Sequence, residues 1–240
     1  MVAEAGRLAG RRALVTGGSR GLGAAITDAI RREGAACAVL AREDLTGVPT
    51  VRADVTDAAA VAAAVDEAAD RLGGLDALVC AAAIDCAWAP TDAMDVGEWD
   101  RTLAVNLSGT FYVCRAALPH LVAAGAGAIV NVTSVAGLRA WPEDVAYNAS
   151  KAGVEMLTRT IAVEYGTQGV RANCLAPGVI DAGMTDAIED LEERRRLASQ
   201  HPLGRFGRAA EVAEAAVWLL SEASAFTTGT TLVVDGGFLA

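Results

Sequence analysis

Short apolar runs alternate along the chain with longer segments in which apolar residues recur every three or four positions. The runs are typical of buried strands, and the periodic segments are typical of amphipathic helices. The predicted strands are Arg12–Thr16, Cys37–Leu40, Thr50–Ala53, Leu75–Cys80, Ala128–Val132, Val170–Leu175 and Thr231–Val234. The predicted helices are Leu22–Gly34, Ala58–Leu72, Trp99–Leu121, Asp144–Tyr165 and Ala209–Leu220. This alternation predicts an α/β protein with a doubly wound parallel sheet and helices on both faces.

Two connections depart from the alternation. The stretch between Leu40 and Asp54 leaves room for at most a vestigial helix. The segment 179–207 is long, charged and irregular in pattern, which predicts a lid over a ligand rather than an inert loop. No internal repeat or linker interrupts the chain, so we expect a single domain over residues 1–240.

Composition and charge argue against several classes of protein. The chain has 240 residues, 53% of them hydrophobic, and a formal net charge of −10, which disfavours nucleic acid as a partner. It contains no uncharged apolar run of about 18 residues, and Met1–Arg12 lacks an apolar signal core. We therefore expect a soluble, cytoplasmic protein with no membrane partner. Five scattered cysteines and two histidines predict neither a disulfide framework nor a metal site.

A glycine-rich turn follows the first predicted strand. Gly17, Gly21 and Gly23 form T-G-x-x-x-G-x-G, a variant of the dinucleotide fingerprint, at the start of a predicted helix. Glycines there let the backbone approach a pyrophosphate, and the free N–H groups of a helix N-terminus favour anions. A glycine-rich turn with no ligand is the alternative.

The residues after the second strand bear on the choice of nicotinamide cofactor. Arg42 follows that strand and Arg20 lies in the glycine loop, so two guanidinium groups could flank the 2′-phosphate of NADP. Glu43 and Asp44 leave NAD possible, and a solvated Arg42 is a further alternative. We expect NADP(H).

A potential proton-transfer group lies in the segment 131–153. Tyr147 and Lys151 are four residues apart and therefore share one helix face, and Ser134 ends the preceding strand. An ammonium beside a phenol stabilises the phenolate, so we expect Lys151 to lower the pKa of Tyr147. Lys151 is also the only lysine in the chain. An ordinary helix with a tyrosine and a lysine on its wet face is the simpler alternative.

Together these motifs resemble the short-chain dehydrogenase/reductases, from Arg12 to Gly237. The resemblance rests on T-G-G-S-R-G-L-G at 16–23, Asp54-Val55, Asn106, Ser134, Y-x-x-x-K at 147–151, Pro177-Gly178 and V-D-G-G at 234–237. The stretch His201–Gly207 and the C-terminal tail are most similar to the 3-oxoacyl-carrier-protein reductase branch. The resemblance implies a single-domain Rossmann-type fold, hydride transfer with NADP or NAD, and a homotetramer or dimer.

The resemblance also implies roles for individual residues. Tyr147 would be the general acid or base, Ser134 would hydrogen-bond the substrate oxygen, and Lys151 would tune the phenol and bind the nicotinamide ribose. Asn106 would hold a water of a proton relay, and Asp54 and Val55 would contact adenine. The full set expected to contact the cofactor is Gly17, Ser19, Arg20, Gly21, Leu22, Gly23, Arg42, Asp54, Val55, Ala81, Ala82, Tyr147, Lys151, Pro177, Gly178 and Ile180.

The sequence departs from the family pattern at two places. Where the family commonly has N-N-A-G, this chain has C-A-A-A at 80–83, so the asparagine that braces the turn is lost. The threonine often found four residues after Gly178 is Ala182, which removes an expected hydrogen bond to the cofactor, and Thr185 is a candidate to replace it.

The substrate is expected to be a small ketone or alcohol. By position after the strands, the pocket should be lined by Asp85, Cys86, Trp88, Arg139, Trp141, Val179 and Met184. Trp88 and Trp141 would be either an aromatic clamp or wall packing, and Arg139 either a carboxylate partner or a solvated side chain. The net charge disfavours an acidic carrier protein.

Three functions are compatible with these features. The first is an NADPH-dependent ketoreductase, in which Tyr147 protonates the nascent alkoxide. The second is an NAD-dependent alcohol or cyclic diol dehydrogenase, which the acidic pair at 43–44 favours. The third is a cofactor-binding protein without turnover, which the departures at 80–83 and 182 favour.

Overall fold

The sheet is parallel throughout, as the alternation of strands and helices predicted. The computed structural model describes residues 6–240, and for residue 187 it describes the backbone alone. The strands in this range are β1 Arg12–Thr16, β2 Ala36–Ala41, β3 Thr50–Arg52, β4 Ala77–Cys80, β5 Gly127–Val132, β6 Val170–Pro177 and β7 Thr231–Val234. Their order across the sheet is β3-β2-β1-β4-β5-β6-β7. The order changes direction between β1 and β4, which is where open α/β sheets bind ligands.

Helices cover both faces of the sheet. They are α1 Gly21–Arg32, α2 Ala58–Leu72, α3 Val96–Leu103, α4 Gly109–Ala124, α5 Val145–Tyr165, α6 Leu191–Ser199 and α7 Ala209–Leu220. Helices α2, α4 and α5 pack into one hydrophobic core, and α1 and α7 pack into a second on the opposite face. Within residues 6–240, no helix combines the length and apolarity needed to cross a membrane.

The two cores share the strands between them. Leu14 of β1 and Leu78 of β4 belong to the first core, and the next residues along, Val15 and Val79, belong to the second. Successive side chains of a strand point to opposite faces, so a sheet covered on both sides must be apolar at every central position. This explains why the strands appear in the sequence as continuous apolar runs.

The long helix predicted at Trp99–Leu121 has an interruption that the periodicity did not show. The structure begins it at Val96, passes through a π-helical turn at Ala104–Ser108, and ends it at Ala124. Inside the turn, Asn106 is buried, and the hydroxyl of Thr110 donates to its carbonyl oxygen at 2.7 Å. Such single-turn bulges occur frequently at functional sites.

The segment 179–207 is more regular than its sequence pattern indicated. It contains a 3-10 turn at Gly183–Ala187 and the helix α6. Asp190 begins α6 by accepting a hydrogen bond from the backbone N–H of Glu192 at 2.9 Å. Only Leu197 of this helix is buried, so no apolar stripe marked it in the sequence.

Candidate active site

A cleft of about 1000 Å³ opens at the carboxyl ends of the central strands. It is lined by Gly17 after β1, Ala81 after β4, Ser134 after β5 and Pro177-Gly178 at the end of β6. Every residue predicted to contact the cofactor lines this cleft. Since the carboxyl ends of parallel strands meet at one edge of the sheet, residues far apart in sequence converge there.

The glycine loop has the geometry that a bound pyrophosphate requires. Gly17 has φ +68°, and a Cβ at this position would lie 2.7 Å from backbone atoms of Ala82. A Cβ on Gly23 would lie 2.2 Å from the carbonyl oxygen of Gly17. No side chain caps the N-terminus of α1, and its first turn contains no acidic residue. The N–H groups therefore face the cleft unopposed, and the site fits the phosphates of a dinucleotide.

The turn after β4 is braced by Thr16 rather than by the asparagine common in the family. The hydroxyl oxygen of Thr16 accepts hydrogen bonds from the N–H groups of Ala81 and Ala82, each at 3.2 Å. Thr16 is buried and pairs with Cys80 in the β1–β4 register. The asparagine is lost, as the sequence showed, but the turn keeps a brace from a different residue. The sequence did not indicate this because the contact depends on which strands are neighbours.

Two arginines provide positive charge at the end of the cleft near Asp54. Arg20 and Arg42 line the cleft, and within residues 6–240 the side chain of neither forms an ion pair or a hydrogen bond. Asp54 lies nearby, with its pKa held below the ordinary value by the backbone N–H and the hydroxyl of Thr56 and by the charge of Arg42. Glu43 is not among the residues lining the cleft.

The hydroxyl of Thr185, the candidate to replace the hydrogen bond that Ala182 lacks, is bonded within its own loop. Its hydroxyl donates its proton to the carbonyl oxygen of Ile180 at 2.6 Å and accepts from the N–H of Ala182 at 3.2 Å. A hydroxyl has one proton to donate, so that proton is already used within the loop. Thr185 shapes the wall of the cleft instead.

Ser134, Tyr147 and Lys151 line the same part of the cleft. The oxygen of Ser134 accepts a hydrogen bond from the N–H of Ala136 at 3.1 Å, which orients its hydroxyl at the end of β5. Lys151 is buried, and its Nζ donates to the carbonyl oxygen of Val132 at 3.0 Å. The same Nζ lies 5.4 Å from the centre of the Tyr147 ring. The arrangement can move a proton to or from an oxygen bound beside the phenol.

Burial changes the acidity of both groups on α5. It raises the pKa of Tyr147 above the ordinary phenol value, and the charges of Asp85 and Asp144 raise it further, while Ser134 acts in the opposite direction. Burial lowers the pKa of Lys151 to about 8. The net shift of the Tyr147 pKa is opposite in direction to the lowering expected from Lys151, and burial is its largest cause.

Asn106 lies behind the cleft rather than in its wall. Its Oδ1 accepts from the N–H of Ile84 at 2.9 Å, and its Nδ2 donates to the carbonyl oxygen of Ile84 at 2.9 Å and to the hydroxyl of Ser150 at 3.2 Å. These bonds tie the segment after β4 to α5, next to Lys151. The water-holding role of Asn106 is not tested by these contacts and stays a prediction.

The predicted substrate residues separate into two groups. Asp85, Val179 and Met184 line the cleft, whereas Cys86, Trp88, Arg139 and Trp141 do not. Trp141 stacks on Phe238 with ring centres 5.4 Å apart and meets Trp88 edge-on at 6.5 Å. The guanidinium carbon of Arg139 lies 5.2 Å from the centre of the Phe238 ring. Trp141 and Arg139 therefore pack against the C-terminal tail.

Asp144 is a residue of this region that the sequence interpretation missed. It is buried at the N-terminus of α5, and its Oδ1 accepts a hydrogen bond from the thiol of Cys86 at 3.1 Å. Its position three residues before Tyr147, on the same helix face, was the available signal. The possible ligand atoms of Asp85, Cys86 and Asp144 lie within 4.8 Å of one another, but two of them already share a hydrogen bond.

The fold and the cleft define a Rossmann-type nucleotide-binding protein, and comparisons with known proteins narrow the class. A family model described as enoyl-(acyl carrier protein) reductase matches residues 17–239. The chain is 39% identical to cis-4-hydroxycyclohexanecarboxylate dehydrogenase of Sinomonas cyclohexanicum, over 96% of this chain and 97% of that protein. It is 40% identical to D-threitol dehydrogenase of Mycolicibacterium smegmatis, over 97% and 94%.

A solved structure gives the same result. The gluconate 5-dehydrogenase from Burkholderia cenocepacia, in complex with NADP and tartrate, superposes with a TM-score of 0.92 at 36% identity, over 97% of this chain and 96% of that chain. The chain therefore belongs to the short-chain dehydrogenase/reductase family, and it is an oxidoreductase.

Ionisation of Asp144 should destabilise the folded protein. Burial raises the pKa of this carboxyl to about 6, against roughly 3.9 in an unfolded chain. A raised pKa means that the folded state binds this proton more tightly than the unfolded state does. The stability that the bound proton contributes is therefore lost as pH rises from about 4 through 6. Asparagine cannot ionise, so the variant does not have this loss. We expect the difference in Tm between Asp144→Asn and wild type to increase by about 2–4 °C from pH 5 to pH 7.5, in favour of the variant.

Thermal unfolding at several pH values measures this difference. The exposed Asp92→Asn variant is the matched control, and its difference from wild type should not change with pH. A constant or shrinking difference for Asp144→Asn would contradict the expectation.

Proposed function

We propose that this protein is an NADPH-dependent ketoreductase that interconverts a small carbonyl compound and a secondary alcohol. The observation that carries the proposal is the convergence of Ser134, Tyr147 and Lys151 in one cleft with the glycine loop. The nicotinamide cofactor would supply the hydride when bound. The residues of the chain would bind the substrate oxygen and move the proton.

Tyr147 is the proton donor in this proposal. Its raised pKa keeps the phenol protonated at neutral pH, which is the form needed to protonate a nascent alkoxide. The hydroxyl of Ser134 donates a hydrogen bond to the same substrate oxygen. Lys151 is held at the edge of the cleft beside the phenol by its hydrogen bond to the carbonyl oxygen of Val132, and it contacts the cofactor ribose.

The choice of NADPH rests on Arg20 and Arg42. Both guanidinium groups line the cleft, and among the described residues neither has a partner side chain that would compete with a phosphate. Guanidinium groups match phosphate oxygens in geometry as well as in charge. The NADP bound to the Burkholderia gluconate 5-dehydrogenase is consistent with this choice.

The second candidate is an alcohol or cyclic diol dehydrogenase that uses NAD. It is favoured by the name of the Sinomonas relative, a dehydrogenase of a hydroxycyclohexanecarboxylate, and by the name of the threitol dehydrogenase. A protein without turnover is disfavoured, because the proton-transfer residues are retained in a family of oxidoreductases.

We further propose that residues 179–207 act as a substrate lid and that the protein works in the cytoplasm.

The proposed assembly is a homotetramer, with a dimer as the alternative. Two separate surfaces expose apolar side chains: Phe111, Met156 and Val163 on α4 and α5, and Phe226 and Val233 near the edge strand β7. Isolated exposed apolar residues are common, but clusters on two faces favour two isologous contacts, which generate a tetramer.

Replacing Tyr147 tests the chemistry. We expect Tyr147→Phe to lower kcat/KM for ketone reduction by roughly 10²–10⁴-fold, because phenylalanine has no proton to donate. Cofactor affinity, measured by fluorescence titration, should remain close to wild type. The control is Tyr112→Phe, a partly buried tyrosine of α4 that should keep its activity. Equal activity of the Tyr147→Phe variant on a panel of ketones would refute the proposed function.

Replacing Arg42 tests the choice of cofactor. A charge-assisted hydrogen bond contributes about 1.5–3 kcal/mol, so Arg42→Ser should raise the KM for NADPH by roughly 10- to 100-fold and leave that for NADH unchanged. Steady-state rates with both cofactors make the measurement. Arg32→Ser, at the exposed end of α1, is the control. A wild-type preference for NADH would overturn the assignment and favour the second candidate.

Light scattering after size-exclusion chromatography tests the assembly. We expect the wild type to have four times the mass of one chain. The Phe226→Glu variant should have twice the mass of one chain, because burying the new carboxylate in an apolar contact is unfavourable. Leu191→Glu, on the exposed face of α6, is the control for added charge. A monomeric wild type would contradict the proposed tetramer.

A further inference from the structure

The part of the cleft beside Tyr147 is acidic. Asp85 is exposed and lines the cleft, and the buried Asp144 lies behind it. The charges of both carboxylates act on the Tyr147 phenol, so both lie near the atoms where a substrate would react. Lys151 is the only cation among the cleft-lining residues of this part, and its Nζ is bound to the carbonyl oxygen of Val132.

Cys86 holds the two carboxylates in fixed positions. Its backbone N–H donates to Oδ1 of Asp85 at 3.0 Å, and its thiol donates to Oδ1 of Asp144 at 3.1 Å. One oxygen of Asp85 is therefore anchored to its own loop, while no hydrogen bond to Oδ2 is found within residues 6–240. A carboxylate oxygen accepts hydrogen bonds and cannot donate them when ionised. This oxygen offers an acceptor to whatever occupies the cleft.

Apart from Lys151, no cation of the described residues lines this part of the cleft to neutralise a negatively charged substrate. Arg139 could have served as a carboxylate partner, but its guanidinium lies over the ring of Phe238, and Nη1 points to the carbonyl oxygen of the same residue at 3.4 Å. Asp186, a further acidic residue of the cleft wall, accepts from the N–H of Gly183 at 3.0 Å. A substrate carboxylate would thus meet the negative charges of Asp85 and Asp144, with Lys151 as the one nearby cation among the described residues.

We propose that Asp85, positioned through Cys86 and backed by Asp144, selects an uncharged substrate that carries a second hydroxyl next to the reacting carbon, and that it rejects carboxylates. The second hydroxyl donates to the free oxygen of Asp85, while the reacting oxygen lies at Ser134 and Tyr147. Sites built to hydrogen-bond a substrate hydroxyl discriminate strongly against analogues that lack it. This inference rests on the proposed function and specifies its substrate class.

The test compares substrates that differ only in the group beside the reacting carbon. With purified full-length protein and NADP⁺ at pH 8, kcat/KM is measured for 2,3-butanediol, 2-butanol and 3-hydroxy-2-methylbutyrate. The cyclic set of cis-1,2-cyclohexanediol, cyclohexanol and 2-hydroxycyclohexanecarboxylate is measured in parallel. In the better-accepted set we expect the diol to exceed the simple alcohol by about 10-fold or more and the hydroxy acid by about 100-fold or more.

Asp85→Asn separates selection by charge from a general structural effect. It keeps the shape of the side chain but removes its charge, so the disadvantage of the hydroxy acid should shrink by about 10-fold. Asp85→Ala should abolish the advantage of the diol over the simple alcohol. A merely structural role would change kcat/KM equally for all three substrates. Asp28→Asn, on the exposed face of α1, makes the same charge change elsewhere and should leave every ratio unaltered.

The outcomes distinguish this inference from the proposed function. A wild type that prefers the hydroxy acid, or ratios that do not change in Asp85→Asn, would overturn the selection by Asp85 while leaving hydride transfer intact. Failure of the wild type to oxidise any alcohol or to reduce the matching ketones, with either nicotinamide cofactor, would overturn the proposed function itself.

Discussion

The hydrogen-bonded pairing of β1 with β4 is the constraint on which the rest of the site depends. It brings Thr16 beside Cys80, although they are far apart in the chain, and thereby lets the Thr16 hydroxyl hold the turn at Ala81 and Ala82. The same pairing creates the point where the strand order changes direction, and the cleft opens there.

Desolvation is the second physical theme of the site. Tyr147 and Lys151 are adjacent on one face of α5. Burial raises the pKa of Tyr147 and lowers the pKa of Lys151, and both shifts favour the neutral form of the side chain. The lysine keeps its place through a hydrogen bond to Val132 rather than through an ion pair. A phenol that stays protonated at neutral pH is suited to donating its proton, which is why the proposed direction is reduction of a carbonyl.

The acidic residues beside the phenol are the basis of the proposed substrate selection. Members of one family share the glycine loop and the proton-transfer residues, so these features cannot separate hydroxy acids from polyols. Asp85 and Asp144 lie outside that shared set, and Cys86 connects them by two hydrogen bonds from a single residue. Specificity in this protein would therefore arise from the loop after β4 and the start of α5, where two segments distant in sequence meet.

The sequence alone determined the α/β architecture, the glycine loop and the position of Tyr147 and Lys151 on one helix face, because apolar periodicity and short motifs are local properties of the chain. It did not reveal helix α6, which has no apolar stripe, or the π-helical turn around Asn106, whose side chain is satisfied by Ile84 and Ser150. The tertiary structure decided the direction of the pKa shifts of Tyr147 and Lys151, the brace from Thr16 and the connection of Asp85 to Asp144 through Cys86. Each of these features depends on burial or on contacts between distant segments. Residue spacing along the chain encodes neither the burial nor the contacts.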